Sequence, residues 1–363
     1  MKIRAAVSRT GEAVPILEDL ELEEPRADEV RVRIVATGIC HTDLACHGGH
    51  GMPIPRPIVL GHEGAGIVEA VGSGVQGLAA GDHVVMSGAS CGECPKCRAG
   101  RPTYCREAMT LSFGGARRDG SSPLSQRGAA VHGMFFGQSS FATHVLSPVR
   151  SVVKVPPDVP LHLLGPLGCG IITGAGAVLE AFRLRPGESI AVFGVGSVGL
   201  AAIMAARLAG ASRIVAVDVS AERLKLAREI GATEAIPSNA ATGSALRDLE
   251  RYGFSYSFNT TTVPDVFTLA ADCLATEGTA GFVTRPNGAW TPNMAALLAA
   301  GRKLQGILGG SAAPQVFIPL LIDYWRQGRF PFDRLIGEFP FAEIGRAWEA
   351  CTQGTVVKPV LRM

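Results

Sequence analysis

The sequence predicts an α/β protein. A mainly β N-terminal domain is followed by a doubly wound parallel sheet of six strands, and a short C-terminal segment returns to the first domain. Three observations predict this. Residues 1 to about 150 are short apolar runs cut by Gly and Pro. Beyond about residue 173, strand-like and helix-like runs alternate. A G-x-G-x-x-G turn stands at the first strand-to-helix junction of that alternation. The 363 residues are 47% hydrophobic and 18% charged, enough for two ordinary domains. The expected limits are 1–172, 173–311 and 312–363.

In the first domain "EVRVRIVATGIC", "GAGIVEAVG" and "GDHVVMSG" read as strands of an antiparallel, barrel-like region. Residues 111–140 lack periodicity and are rich in Gly and Ser, so a long surface loop is expected there. In the second domain the strands are "SIAVFGVG", "RIVAVDVS", "TEAIPS", "FSYSFNTT", "TAGFVTRP" and "LQGILGG". The helices between them are "SVGLAAIMAARLAGA", "AERLKLAREIGA", "GSALRDLERYG", "VPDVFTLAADCLATEG" and "NMAALLAAGRK". The last segment offers one helix, "IPLLIDYWRQG", and a terminal apolar run, "VVKPVLRM".

A formal net charge of +2 gives no reason to expect nucleic acid or an anionic membrane as partner. The N-terminus carries no signal-like apolar run, and no stretch of about 18 apolar residues suggests a membrane span. Nine cysteines without a secretion signal point to metal ligation in a reducing cytoplasm rather than to disulfides.

Gly194, Gly196 and Gly199 form the G-x-G-x-x-G turn, and Asp218 ends the next strand of the same unit. Gly194 allows a tight turn, Gly196 lets the backbone approach a pyrophosphate, and Gly199 permits close helix packing. Ser197 and Val198 open the helix whose N-terminus faces the phosphates. The Asp218 carboxylate suits ribose hydroxyls and repels a 2′-phosphate, so NAD is preferred over NADP, although the nearby Arg223 can tolerate a phosphate. An ordinary glycine-rich turn without a ligand is the alternative.

Cys91, Cys94, Cys97 and Cys105 lie as C-x2-C-x2-C-x7-C. Four thiolates in one short segment can close a tetrahedral structural zinc site, with an Fe–S cluster as the competitor by ligand type. "GICHTDLACHGGH", residues 38–50, is a second concentration of ligand types. Spacing alone does not select among them, nor does it join Cys40 to His62 in "GHEGAG" or to Cys169 in "GPLGCG".

"GHEGAGIVEAVGSGV" matches G-H-E-x2-G-x5-G-x2-V throughout. Together with the cysteine lobe, "CHTD" and the glycine turn, the whole chain resembles the zinc-dependent medium-chain alcohol dehydrogenases. "LLGPLGCGI", "RQGRFPFD" and "KPVLRM" resemble their aryl-alcohol (benzyl alcohol) branch. The resemblance implies a GroES-like catalytic domain, a Rossmann NAD-binding domain and two zinc ions per chain. It implies a catalytic zinc on Cys40, His62 and Cys169 with one position open, Asp43 orienting His62, Glu63 behind the metal, and Thr42 relaying the substrate proton. The four-cysteine site is then the structural zinc. The implied reaction moves hydride between a primary, aromatic or allylic, alcohol/aldehyde pair and NAD. Homodimers or tetramers, pairing through the "KLQGILGG" sheet edge, are implied as well.

The chain departs from its relatives at several positions. Ala45 replaces a relay histidine, leaving water or His47 as the proton exit, and His41 stands where an Arg faces the pyrophosphate. Thr262 in "NTTT", Thr284 and Arg285 in "FVTRP" after Val283, and Gly309–Ala312 alter strand ends expected near the cofactor. His47 and His50 are expected to edge the substrate entrance and Cys46 only to pack; Arg285 is expected at the substrate pocket, with an anionic substituent as one target and a neutral change that leaves Arg285 facing solvent as the equal alternative. A non-redox use of the same zinc as a Lewis acid is the alternative function.

Overall fold

The computed structural model describes residues 1–363, which divide into two compact units. One unit comprises Met1–Cys169, Ala313–Leu320 and Asp333–Met363; the other comprises Gly170–Ala312 and Leu321–Phe332. The first cut therefore falls after Cys169, not at 172. The C-terminal segment does not return as one piece, because Leu321–Phe332 goes with the second unit. Within that stretch Leu321, Ile322, Phe330 and Phe332 are fully buried.

In the first unit the strand Glu29–Gly38 is the hub. Val30, Val32 and Ile34 are buried while Arg31 and Arg33 face outward, the alternation of a strand with one face on the core. Its last residues, Ala36, Thr37 and Gly38, are buried without alternation, because the strand there runs into the interior that holds Glu63. It pairs antiparallel with Gly64–Val71, His144–Pro148 and Lys358–Arg362. The last of these lies parallel to Ile336–Pro340. A second sheet runs in the order Ile58–Val59, Lys2–Ser8, Ile16–Leu22, Leu124–Gln126, Ala129–Val131.

Residues 111–140 are thus not a bare surface loop. They contain the end of the helix Ala108–Phe113, a two-stranded hairpin that extends the second sheet, and Phe135, which is fully buried. Arg117 fixes this segment. Its Nε and Nη2 donate to Glu29 Oε1 and Oε2 at 2.6 and 3.1 Å, and its Nη1 to Glu23 at 2.8 Å. Gly and Ser content masked these anchors, since one buried ion pair orders a segment that has no periodic apolar face.

The second unit holds six parallel strands. In sequence they are Ser189–Phe193, Arg213–Asp218, Glu234–Pro237, Phe254–Asn259, Leu274–Phe282 and Lys303–Gly306. In space their order is 3-2-1-4-5-6, the doubly wound arrangement expected. The central Ser189–Phe193 is buried along its whole length, as a parallel strand covered on both faces must be. One boundary differs. "LATEG" belongs to the fifth strand and not to the preceding helix, because Leu274 pairs with Phe254 and tertiary pairing overrides helix propensity. No helix is long and apolar enough to cross a membrane.

Candidate functional site

Cys40 stands in extended conformation immediately before the short helix His41–His47. Asp43, fully buried in the first turn, ties this helix to the loop carrying His62. Its Oδ2 accepts from Cys40 N at 2.9 Å; its Oδ1 accepts from Gly61 N at 3.1 Å and from His62 Nδ1 at 3.0 Å. A carboxylate only accepts, so Nδ1 carries a ring hydrogen and Nε2 is the ring nitrogen left to meet a metal. That Nε2 is buried and has no hydrogen-bond partner. Cys169 follows the turn Gly165–Gly168. A Cβ on Gly168 would strike the Met86 carbonyl, and one on Gly165 the Glu63 carbonyl, so only glycines let this turn deliver Cys169. The ligand atoms of Cys40, His62, Glu63 and Cys169 all lie within 4.8 Å of one another. Thr42 Oγ1 is 3.8 Å from Cys40 Sγ.

Glu63, fully buried, receives the ammonium of buried Lys358 at 2.9 Å, and Lys358 also donates to Ile39 O at 3.2 Å. Burial pushes the Glu63 carboxyl up against the opposing pull of Lys358. Lys358 moves up as well: burial alone would lower it, but Glu63, Cys40 and Cys169 together raise it. The Cys169 thiol donating to it holds Cys40 well below the usual thiol range, and the same contact pushes Cys169 well above. With Glu63 engaged by Lys358, two sulfurs and one imidazole nitrogen remain. This donor set fits zinc with one position open.

Three contributors were not singled out from sequence. Lys358 was visible as a lone Lys in an apolar terminal run, a charge that burial would force into a pair. Gln138 gave no signal: its Oε1 accepts from Gly64 N at 3.1 Å, and its Nε2 donates to His62 O at 3.0 Å. Phe136 gave none either. Its ring stacks on His62 with centroids 4.5 Å apart and planes at 23°.

The second cluster holds the four sulfurs of Cys91, Cys94, Cys97 and Cys105, also within 4.8 Å of one another. Cys91 and Cys97 Sγ are 4.0 Å apart, close to the ~3.8 Å edge of a tetrahedron with 2.3 Å Zn–S bonds. Backbone N–H groups already point at sulfur, Cys91 N and Glu107 N at Cys105, and Cys94 N at Cys91. The Arg106 and Cys97 N–H groups lower the Cys94 thiol to about 6. All nine cysteines are free thiols.

In the second unit Gly194 has φ +80°, a conformation suited to glycine. A Cβ on Gly199 would collide with the Gly194 carbonyl, whereas one on Gly196 would meet nothing. The space beside Gly196 opens at the first turn of Ser197–Leu208, where Ser197 and Val198 are half-buried and no side chain caps the free N–H groups. Asp218 takes Val195 N at 2.7 Å and Ser220 N at 2.9 Å, which fixes its carboxylate beside this turn. Its acceptor capacity is not exhausted by these two bonds. Arg223 lies in the first turn of Ala221–Ile230, half-buried. Val283, half-buried, follows the fifth strand; the Thr284 hydroxyl donates to Thr261 O at 2.5 Å, and Arg285 is exposed.

Within 38–50 the structure separates the residues. His41 is exposed at the first position of its helix. Cys46 is buried, its thiol pushed up to about 12 by burial and by Asp43. His50 is exposed. His47 departs from the expected place at the substrate entrance. It is buried, with Nδ1 2.7 Å from Ser8 Oγ, Nε2 3.0 Å from Glu12 O, and its ring edge-on to Trp348. Both ring nitrogens are engaged by the N-terminal strand and its turn, so His47 is no free proton exit.

Residues 26–157 match the family model described as alcohol dehydrogenase GroES-like domain, and residues 197–323 that described as zinc-binding dehydrogenase. The chain is 44% identical over 363 residues to a geraniol dehydrogenase of Castellaniella defragrans, covering 99% of this chain and 97% of the relative. It is 33% identical to a class-3 alcohol dehydrogenase of Myxine glutinosa, with the same two coverages. Among solved structures, the benzyl alcohol dehydrogenase of Acinetobacter calcoaceticus superposes with TM-score 0.96 at 41% identity, covering 100% of this chain and 99% of that one. An alcohol dehydrogenase zinc-binding domain protein of Burkholderia ambifaria gives 0.97 at 46%, with the same coverages.

Proposed function

Because the chain belongs to the zinc-dependent medium-chain alcohol dehydrogenase family, and is an alcohol oxidoreductase, we propose that Cys40, His62 and Cys169 are its catalytic zinc ligands. The observation that carries this is the buried, unpartnered His62 Nε2 facing two thiols. A zinc held by these three residues would supply Lewis acidity toward an alcohol hydroxyl or aldehyde carbonyl, and a nicotinamide would supply the hydride acceptor or donor.

The chain's own residues do the rest. Asp43 holds His62 in the tautomer that offers Nε2. Lys358 neutralises Glu63, so that the carboxylate does not add a further negative charge to the two sulfurs. The Thr42 hydroxyl, beside Cys40, would accept a hydrogen bond from the substrate hydroxyl and pass on its own hydrogen, so that it relays the proton without keeping it. Ala45 provides no base beyond it, so the proton passes to solvent. His41, exposed at its helix start, donates to the cofactor phosphates. Cys91, Cys94, Cys97 and Cys105 hold a second, structural zinc.

We assign NAD rather than NADP to the Gly194–Gly199 turn, since Asp218 brings a carboxylate where a 2′-phosphate would lie. The relatives' printed names, geraniol and benzyl alcohol dehydrogenase, support a primary allylic or aromatic alcohol as substrate. Exposed Arg285 is assigned to an anionic substituent. A homodimer paired through the edge strand Lys303–Gly306, in a reducing cytoplasm that keeps nine thiols free, completes the reading. The Lewis-acid alternative is not favoured, because the named relatives are oxidoreductases.

The test couples turnover, read at the NADH absorbance, with metal content. Cys40→Ser should abolish turnover and remove one zinc per chain, and Cys46→Ala should do neither. Full activity in Cys40→Ser sinks the ligand assignment. In the same substrate panel, an unchanged kcat/KM ratio between carboxylated and plain benzyl alcohols in Arg285→Ala removes Arg285 from the pocket.

A further inference from the structure

We propose that Phe136 is a positioning residue for His62, its ring fixing the plane of the imidazole and so the line along which Nε2 reaches the metal. The inference rests on the assignment of Cys40, His62 and Cys169 as the catalytic ligands.

The Asp43 hydrogen bond holds one edge atom of the His62 ring. That bond tolerates rocking of the ring about its second side-chain torsion, which for an imidazole is broad. Stacking removes this freedom. Phe136 covers one face at 4.5 Å and 23°, and Phe135 meets the ring edge-on at 5.6 Å and 76°. Both phenyl rings are braced by Phe113, at 5.1 and 5.9 Å. Phe113 ends the helix Ala108–Phe113, which begins just after Cys105. The plate under the catalytic histidine is therefore attached to the segment leaving the four-cysteine lobe.

The backbone adds an independent argument. Phe136 has φ 51° and ψ 27°, in the left-handed region where a residue with a Cβ is disfavoured. Glycine would sit there without strain. A large aromatic residue at such a position draws its compensation from its ring, and the ring's partners are His62, Phe135 and Phe113. A ring that only lined a pocket would not need to lie nearly parallel to an imidazole.

Zinc release to a chromophoric chelator and the visible spectrum of the cobalt-substituted protein test this in Phe136→Leu, Phe136→Gly and Phe136→Tyr. Release from Cys40→Ser identifies which kinetic phase belongs to the catalytic site. Phe136→Leu and Phe136→Gly should release that metal about tenfold faster, whereas Phe136→Tyr stays within about twofold of wild type. The first two should also shift the cobalt bands and lower kcat more than they raise KM. Phe136→Gly separates ring from backbone, since it relieves the strain and still loses the stack. If Phe136→Leu does not fold, Phe113→Leu takes its place, with intermediate release expected. Wild-type release and wild-type cobalt bands in Phe136→Gly or Phe136→Leu overturn the proposal, whatever happens to KM. Retention of both metals in Cys40→Ser overturns the ligand assignment instead, and this inference with it.

Discussion

His47 and His62 are both buried in the first unit, yet their surroundings push them in opposite directions. Burial opposes charge on His62, but Asp43 reverses this and raises it well above the usual range. At His47 burial dominates and lowers it from 6.5, with Arg56 adding to the effect. The sign of the consequence follows. The unfolded chain binds a proton at His47 more readily than the folded one, so folding stability falls as pH drops below about 6.5 until the folded value is reached. His47→Gln should therefore show a smaller loss of Tm between pH 7 and pH 5 than wild type. An equal loss in both proteins would remove His47 from the acid response. Spacing could not sort Cys40, Cys46 and His47, because they share one short stretch and differ only in which distant residues pack on them. Resemblance singled out Cys40; Ser8, Glu12 and Trp348 decided His47.

At the scale of elements, the glycine turn was the most legible part. Its three glycines do different work, which two substitutions separate. Gly199→Ala drives a Cβ into the Gly194 carbonyl, so the turn must open and Tm should fall by several degrees, a loss of about 1–3 kcal/mol. Gly196→Ala meets no protein atom, so Tm should hold while NAD affinity, read by fluorescence titration, drops at least tenfold. Unchanged affinity in Gly196→Ala would show that no phosphate occupies that space. The first two strands were legible for a similar local reason, since Ser189–Phe193 and Arg213–Asp218 are short apolar runs next to turn residues; the others showed mainly through their alternation with helix-like runs. Residues 111–140 were illegible because their order comes from Arg117 and from Phe113, Phe135 and Phe136, contacts that carry no period. The early start of Leu274–Phe282 was hidden behind helix-favouring residues.

At the scale of the molecule, the first unit depends on charges buried in pairs. Glu29, at one end of the hub strand, is held by Arg117, and Glu63, beyond its other end, by Lys358. Arg117→Ala should cost about 3–5 kcal/mol in denaturant unfolding, because Glu29 is left buried and uncompensated. The double variant Arg117→Met, Glu29→Gln should recover much of that loss. If the single and double variants are equally destabilised, the ion pair is not what orders 111–140.

The partnership of Glu63 with Lys358 spans 295 residues of chain. During synthesis Cys91, Cys94, Cys97 and Cys105 leave the ribosome almost together, so the metal proposed for them would meet all four sulfurs at once. Cys40 and His62 emerge earlier still, but they must wait for Cys169, and Glu63 must wait for Lys358. The two proposed metal clusters are thereby ordered in time by their place in the chain: the cysteine lobe has all its sulfurs once Cys105 has emerged, whereas the Cys40 cluster lacks its full surroundings until Lys358 follows.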